Sequence, residues 1–200
     1  MKTKHILISL ILFALVLASC SSRAKVGELQ TESQSVELGD ATSVRVKIEM
    51  GAGNLQVTGG ADKLLESEFV YNVSKLKPEV TFTEGTLLVW QPNVKGLPPL
   101  QGISGFRNEW ALHLSDRVPM DLSVDLGAGA GNLKLAGLLL TGLDVSLGAG
   151  EYMIDLSGDW ARDLDITMNT GAANITLKLP NGIGVRVRLS TVRTRSKPQA

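Results

Sequence analysis

The feature that most constrains this chain is a repeat. Leu122–Leu126 (LSVDL), Leu143–Leu147 (LDVSL), Leu164–Met168 (LDITM) and Val185–Leu189 (VRVRL) begin at intervals of 21 residues. Three apolar columns run through the copies: Leu122, Leu143, Leu164 and Val185; Val124, Val145, Ile166 and Val187; Leu126, Leu147, Met168 and Leu189. The positions between them are polar, with Ser123, Asp144, Asp165 and Arg186 in one column and Asp125, Ser146, Thr167 and Arg188 in the other. Alternation with a period of two belongs to a strand with one buried and one wet face. A second strand follows in each copy, marked by Leu133 and Leu135, Ile154 and Leu156, and Ile175 and Leu177, with Lys134, Asp155 and Thr176 on the opposite face.

Glycine marks the turn between the two strands, at Gly127-Ala128-Gly129, Gly148-Ala149-Gly150 and, more loosely, Asn169-Thr170-Gly171. A sharp corner calls for the positive φ that glycine tolerates. A related copy opens the domain: Val44, Val46, Ile48 and Met50 lead into Gly51-Ala52-Gly53 and then Leu55 and Val57, outside the register of the later copies. Residues 58 to 120 show no repeat but read as β. Phe69, Tyr71 and Val73 alternate, Val80–Phe82 and Leu87–Val89 flank a Glu84-Gly85 turn, and Trp110, Leu112 and Leu114 alternate again. Gln91–Asn108, with Pro92, Pro98 and Pro99, has the composition of a loop.

The predicted fold is all-β and solenoid-like, a stack of two-strand repeats 21 residues long; the alternatives are an antiparallel meander or a sandwich. In the solenoid Val145 lies between Val124 and Ile166, Ile154 lies inside between Leu133 and Ile175, and Ser146 and Thr167 share an outward ladder. In the meander the LDVSL strand pairs instead with YMIDL across the glycine corner.

Three stretches carry a family resemblance: LLESEFVYNVSKLKPEV, RNEWALHLSDRVPMDLSVDLGAGAGNLKL and LGAGEYMIDLSGDWARDLDITMNTGAANITLKLP. In combination, over residues 40 to 189, they resemble the toast-rack family of bacterial envelope proteins, relatives of the cell wall-active antibiotics response domain. The resemblance implies a solenoid-like, non-enzymatic envelope domain, often near envelope stress systems, with no ligand or catalytic residue to carry over. The chain departs from the pattern at its end, where Val192 stands in place of a corner glycine. Residues 191–200 read as a basic polar tail, either a cap that blunts the last edge or a truncated repeat.

The N-terminus has a separate signature. Lys2 and Lys4 precede an apolar run from Ile6 to Val16, too short for a bilayer core that takes about 20 residues in a helix. Leu17-Ala18-Ser19-Cys20 resembles the lipobox of bacterial lipoproteins, in which the cysteine is acylated and becomes the first mature residue. Residues 1–19 are therefore expected to be a signal peptide, Cys20 the lipidation site, 20–39 a flexible tether and 40–190 the domain. Export and attachment to the outer face of the cytoplasmic membrane, or to an outer membrane, follow from that reading. With Cys20, the one cysteine, consumed, the domain must be held by packing alone.

The chain carries 20 basic and 20 acidic residues, and losing Lys2 and Lys4 with the signal leaves it slightly acidic, so no nucleic-acid partner is expected. The expected partners are the membrane, through the lipid, and an envelope protein or wall polymer. Neither a cofactor nor a catalytic residue is expected. His113 is the one histidine outside the signal and alternates outward, which leaves zinc without a ligand set. Asp125, Asp144, Asp155, Asp163 and Asp165 lie near glycine corners, but the calcium-binding repeat is nine residues long with Asp after its glycines. Asp144 and Asp165 are expected to stack on adjacent rungs. Paired acids on a solenoid face could serve a polysaccharide-cleaving enzyme, yet Ser123 and Arg186 in the same column read as a solvated face. Gly127-Ala128-Gly129-Ala130-Gly131 lacks the lysine and helix of a phosphate-binding loop. Trp90, Trp110 and Trp160 could form a sugar platform, although Trp110 reads as core. The basic end, Arg186 to Lys197, could touch anionic lipid or wall polymer.

The anchor is directly testable. Cys20→Ser should abolish palmitate incorporation and release the protein from the membrane or leave it as precursor; labelling that persists in the variant rejects the lipobox.

Overall fold

The computed structural model describes residues 26–92, 104–160, 163–180 and 186–191, the side chains of 186–191 excepted. Eleven strands form one sheet system: β1 (Gln30–Val36), β2 (Val44–Thr58), β3 (Leu65–Tyr71), β4 (Glu79–Thr83), β5 (Thr86–Trp90), β6 (Asn108–Leu114), β7 (Met120–Lys134), β8 (Leu140–Asp155), β9 (Asp165–Thr170), β10 (Ala173–Lys178) and β11 (Arg186–Thr191). The fold is all-β, as expected. The two strands expected in each repeat are one strand that bends: β2 and β7 run for 15 residues and β8 for 16, straight through their glycine corners.

Each bent strand contributes to two limbs. The first limb is ordered β4-β5-β2-β7-β8-β9-β11 and the second β1-β3-β6-β2-β7-β8-β10. Pairing is parallel from β5 and β6 through β2, β7 and β8 to β9, β10 and β11, the rung-on-rung arrangement of a solenoid and not of a meander. Antiparallel pairing is confined to β1–β3, β3–β6 and β4–β5. The opening copy, outside the repeat register in sequence, stacks directly on β7, Val46 beside Leu122 and Val57 beside Leu133. Residues 58 to 120 loop out and return, laying β5 on the first limb and β6 on the second. Glu84 and Gly85, with φ of 51° and 72°, close the β4–β5 hairpin as the paired positive φ of a tight turn requires.

The limbs fold over one core. Val46, Ile48, Leu122, Val124 and Val145 face it from the first limb, and Leu55, Val57, Leu133 and Ile154 from the second, all buried. Trp110 is buried as expected, edge-on to Phe69 with ring centroids 5.4 Å apart, and donates to Asn108 Oδ1 at 3.1 Å.

The expected ladder requires one correction. Leu122 pairs with Leu143 and Ile166 with Val187, both 21 residues apart, but Leu143 pairs with Ile166, 23 apart. The connection causes the slip: Lys134 and Asp155 are paired, as are Leu143 and Ile166, so the path from β8 to β9 is two residues longer than that from β7 to β8. A shift of two keeps every side chain on its face, so the alternation conceals it. Val145 therefore adjoins Met168, not Ile166; Ile154 adjoins Leu177, not Ile175; and Asp144 adjoins Thr167. Asp165 lies opposite Arg186, so Asp144 and Asp165 do not stack. The last corner is Gly171-Ala172-Ala173, aligned with Gly148-Ala149-Gly150, in place of Asn169-Thr170-Gly171.

A second correction concerns the expected tether. Gln30–Val36 is strand β1, antiparallel to β3. An edge strand needs only one partner and half a face, so a polar sequence suffices: Ser67 Oγ donates to Gln34 O at 3.0 Å, and Tyr71 Oη donates to Glu32 Oε1 at 2.6 Å. The signal, Cys20 and residues 192–200 lie outside the described residues.

The register has a direct test. In a Cys20→Ser background, an Asp144→Cys, Thr167→Cys pair should close a disulfide, because facing parallel residues stand about 4.8 Å apart, within the Cα range of a bridge. A Ser146→Cys, Thr167→Cys pair, diagonal in this register, should close poorly. The reverse order in folded protein would restore the uniform 21-residue step.

Candidate interaction surfaces

The alternation that fills the core sends the chemically versatile side chains outward, and they are dispersed along the stack. On the first limb Arg45, Lys47, Glu49, Asp121, Asp125 and Asp144 are exposed, with Arg45 Nε 3.7 Å from Asp121 Oδ2. Among the described residues no three of His, Cys, Asp and Glu converge on a point that could hold a metal ion. His113 is exposed and shares a 2.7 Å hydrogen bond with Thr58 Oγ1. Glu66 lies opposite it on β3 and Thr58 on β2, so the three form one open row on the outer face of the second limb.

Asp155 is more constrained than its outward position suggested. It accepts from the Ser157 backbone N–H at 3.0 Å and from the Ser157 hydroxyl, and Lys178 Nζ lies 3.2 Å away on the neighbouring rung. The Ser157 bonds first, then the Lys178 ammonium, hold its carboxyl down to about 2. Asp155 thus begins the longer β8–β9 turn, which Trp160 then folds back by donating Nε1 to Leu156 O at 2.7 Å. Trp160 is half-buried and lines a cleft of about 150 Å³ with Pro119, Leu138, Leu139 and Asp159. The three tryptophans do not form a platform: Trp110 is core, Trp90 sits on β5 beside Glu49 and Glu79, and Trp160 is on the far connection.

A polar notch lies on the outer face of the second limb, missed by sequence reasoning because its parts come from three strands. Two rows cross there: Val70, Glu109 and Asn54, then Glu68, Ala111 and Gln56. Ala111 is too small to fill its place between Glu68 and Gln56, leaving a recess of about 260 Å³. Arg107 donates Nε and Nη2 to Glu109 Oε1 at 3.0 and 2.8 Å and so holds one wall. Beyond Gln56 the row continues to Asn132, whose Oδ1 is buried with no hydrogen-bond partner among the described residues. The recess therefore offers carboxylate and amide groups around a small apolar floor.

Comparison with known proteins places this geometry in a family. The family described as the N-terminal domain of toast_rack, DUF2154, matches residues 25–178. The chain belongs to the toast_rack family. This toast_rack chain is similar to the crystal structure of a candidate cell adhesion protein from Clostridium sporogenes, at 27% identity and a TM-score of 0.71, covering 78% of this chain and 74% of that one. A candidate adhesin from Bacteroides fragilis matches at 11% identity and a TM-score of 0.32, over 82% of this chain and 97% of that one. No curated protein matches. In the toast_rack domain the matched span takes in strands β1 to β10 and the glycine corners.

The Asp155 contacts give a pH prediction. A carboxyl lowered from 3.8 to about 2 on folding contributes stability that is fully present above about pH 4 and lost as pH falls towards 2. The gap between wild-type and Asp155→Asn denaturant midpoints should accordingly be constant near neutral pH and narrow between pH 4 and 2. A constant gap across that window counts against these contacts.

Proposed function

We propose that this toast_rack chain is a non-catalytic, extracytoplasmic interaction module of the adhesion type, tethered to a membrane surface by a lipid on Cys20. The observation that carries the reading is the distribution of groups: polar side chains are spread along the outer sheet faces, and among the described residues no three of His, Cys, Asp and Glu gather at one point. A catalytic site needs such groups within hydrogen-bond reach of one reacting atom. Membership of the toast_rack family and the likeness to the Clostridium sporogenes protein support a surface role. A place in envelope homeostasis is part of the same proposal.

The notch around Ala111 is the proposed contact. Glu68 and Glu109 supply acceptors, Asn54 and Gln56 supply donors and acceptors, and Val70 and Ala111 supply an apolar floor. That alternation suits a hydroxyl-rich polymer, whose faces alternate C–H patches with hydroxyl groups.

Binding of the full chain to isolated envelope polysaccharide tests the reading. Glu68→Ala and Gln56→Ala should each weaken it about tenfold, equivalent to about 1.4 kcal/mol, while an outward substitution on the first limb such as Ser123→Ala leaves it unchanged. Both notch residues are exposed, so the fold should tolerate the changes. Equal binding by all variants, or none by the wild type, rejects the notch as the contact.

A further inference from the structure

The two ends of the stack are complementary in shape and in charge. Counting from β2, the second limb extends three strands towards one end (β6, β3, β1) and the first limb two (β5, β4). Beyond β8 the order reverses, with the first limb extending two strands (β9, β11) and the second one (β10). One end therefore projects a single strand, β1, from the second limb. Among the described residues the other end lacks a single strand at that place, beside β10.

Direction agrees with shape. β1 is antiparallel to β3, β3 is antiparallel to β6, and β6 is parallel to β2, so β1 runs the same way as β7, β8 and β10. A copy translated along the stack would lay its β1 on β10 in the parallel sense of every other rung there. Its β4 would meet β11 antiparallel, as β4 already meets β5.

The edges are open and signed. Among the described residues no second strand pairs with β1, β4, β10 or β11. Ile175 and Leu177 on β10 are half-buried, whereas Tyr152 and Ile154, their neighbours on β8, are buried. Exposed Leu29 lies beside β1 and exposed Leu179 beside β10. Residues 26 to 40 carry Glu28, Glu32, Glu37 and Asp40 and no basic residue, and the β4 hairpin adds Glu79 and Glu84. Lys63 and Lys77 pair with Glu37 and Glu32, which leaves the other four acids unopposed by an ion pair. After Asp165 the chain has no acid; Lys178 on β10 pairs with Asp155, and Arg186 and Arg188 lie on β11.

We infer that copies of this chain associate head to tail, β1 and β4 of one against β10 and β11 of the next, continuing the sheet through the contact. The interface is heterologous, so it propagates as a filament. Each copy adds seven strands per limb at about 4.8 Å, an axial repeat of about 34 Å. Residues 192–200 lie outside the described residues and are the competing occupant of the β10 edge, which an intrachain crosslink tests. The inference is independent of the ligand proposed for the notch.

Cysteine crosslinking decides it. The outer row Ser33, Glu68, Ala111, Gln56, Asn132, Met153 and Thr176 crosses the second limb, and stacking continues it from Thr176 to Ser33 of the next copy. Mild oxidation of the full chain carrying Ser33→Cys and Thr176→Cys should give a ladder of dimers, trimers and longer products. Mixing the two single variants should give dimers and nothing longer, and the parental chain with Cys20 alone sets the background. The ladder should be lost in 1 M salt, where the Debye length falls to about 3 Å, and in a Lys178→Glu, Arg186→Glu, Arg188→Glu background. Sedimentation of the unsubstituted chain should show the same salt-sensitive association. Monomer alone in both assays overturns the inference, as do dimers from Thr176→Cys by itself, which would mean a two-fold contact. A disulfide closing within one chain between Thr176→Cys and Lys197→Cys, which face each other if the β9–β11 register continues, would assign the edge to the tail and overturn it too.

Discussion

The stack depends on backbone touching backbone at its corners. A Cβ on Gly148 would overlap the carbonyl oxygen of Gly127, one on Gly129 that of Gly53, and one on Gly150 that of Gly129. No L side chain can stand there, and Gly53, Gly129 and Gly150 also hold positive φ. This close approach lets a 15-residue strand turn from one limb to the other without leaving its neighbour's hydrogen bonds. The buried columns on either side follow from it, because bent strands in register bring like residues into line. At the last corner the constraint relaxes. A Cβ on Gly171 would meet Gly148 O at 3.2 Å, and the third position of that corner is Ala173. There the strand breaks into β9 and β10.

Among the described residues no backbone rung covers the opposite end of the corner stack, and two buried amides stand in. Gln91 accepts from Gly51 N–H at 2.9 Å and donates to Leu76 O at 3.1 Å; Asn108 donates to Ala52 O and accepts from Trp110. A buried peptide group without a partner costs about as much as a lost hydrogen bond, so an end closed by side chains must satisfy it atom by atom. The excursion from 58 to 120 serves this end. It returns twice, as β5 and β6, and places one amide on each side of the first corner.

Closure by side chains is confined to that corner. The outer strands of both limbs end in open backbone edges among the described residues, acidic at one end and basic at the other. Proteins usually blunt such edges with charge to prevent unplanned pairing. Opposite signs at opposite ends deter like ends from meeting while permitting unlike ends to do so. Surface chemistry and assembly thus arise from the same rung geometry that builds the core.

The sequence alone determined that the chain is all-β in class, which residues face the core and where the earlier strands bend, because period-two alternation and repeated glycines record local constraints; that the copies stack in parallel was settled by the fold. The sequence also carried the family resemblance in three separated stretches. It did not reveal the 23-residue step, since a slip of two preserves every inside and outside position; only the corner pair Gly171-Ala172 held a trace of it. Strand β1 was illegible because an edge strand with half a buried face needs no apolar pattern. The notch was illegible as well: Asn54, Glu68 and Glu109 are far apart in the chain and meet only because β6 lies between β3 and β2. Alternation is a property of each strand by itself, whereas strand order and register are set by the lengths of connections and by the corners they must align, and those exist only in the folded stack.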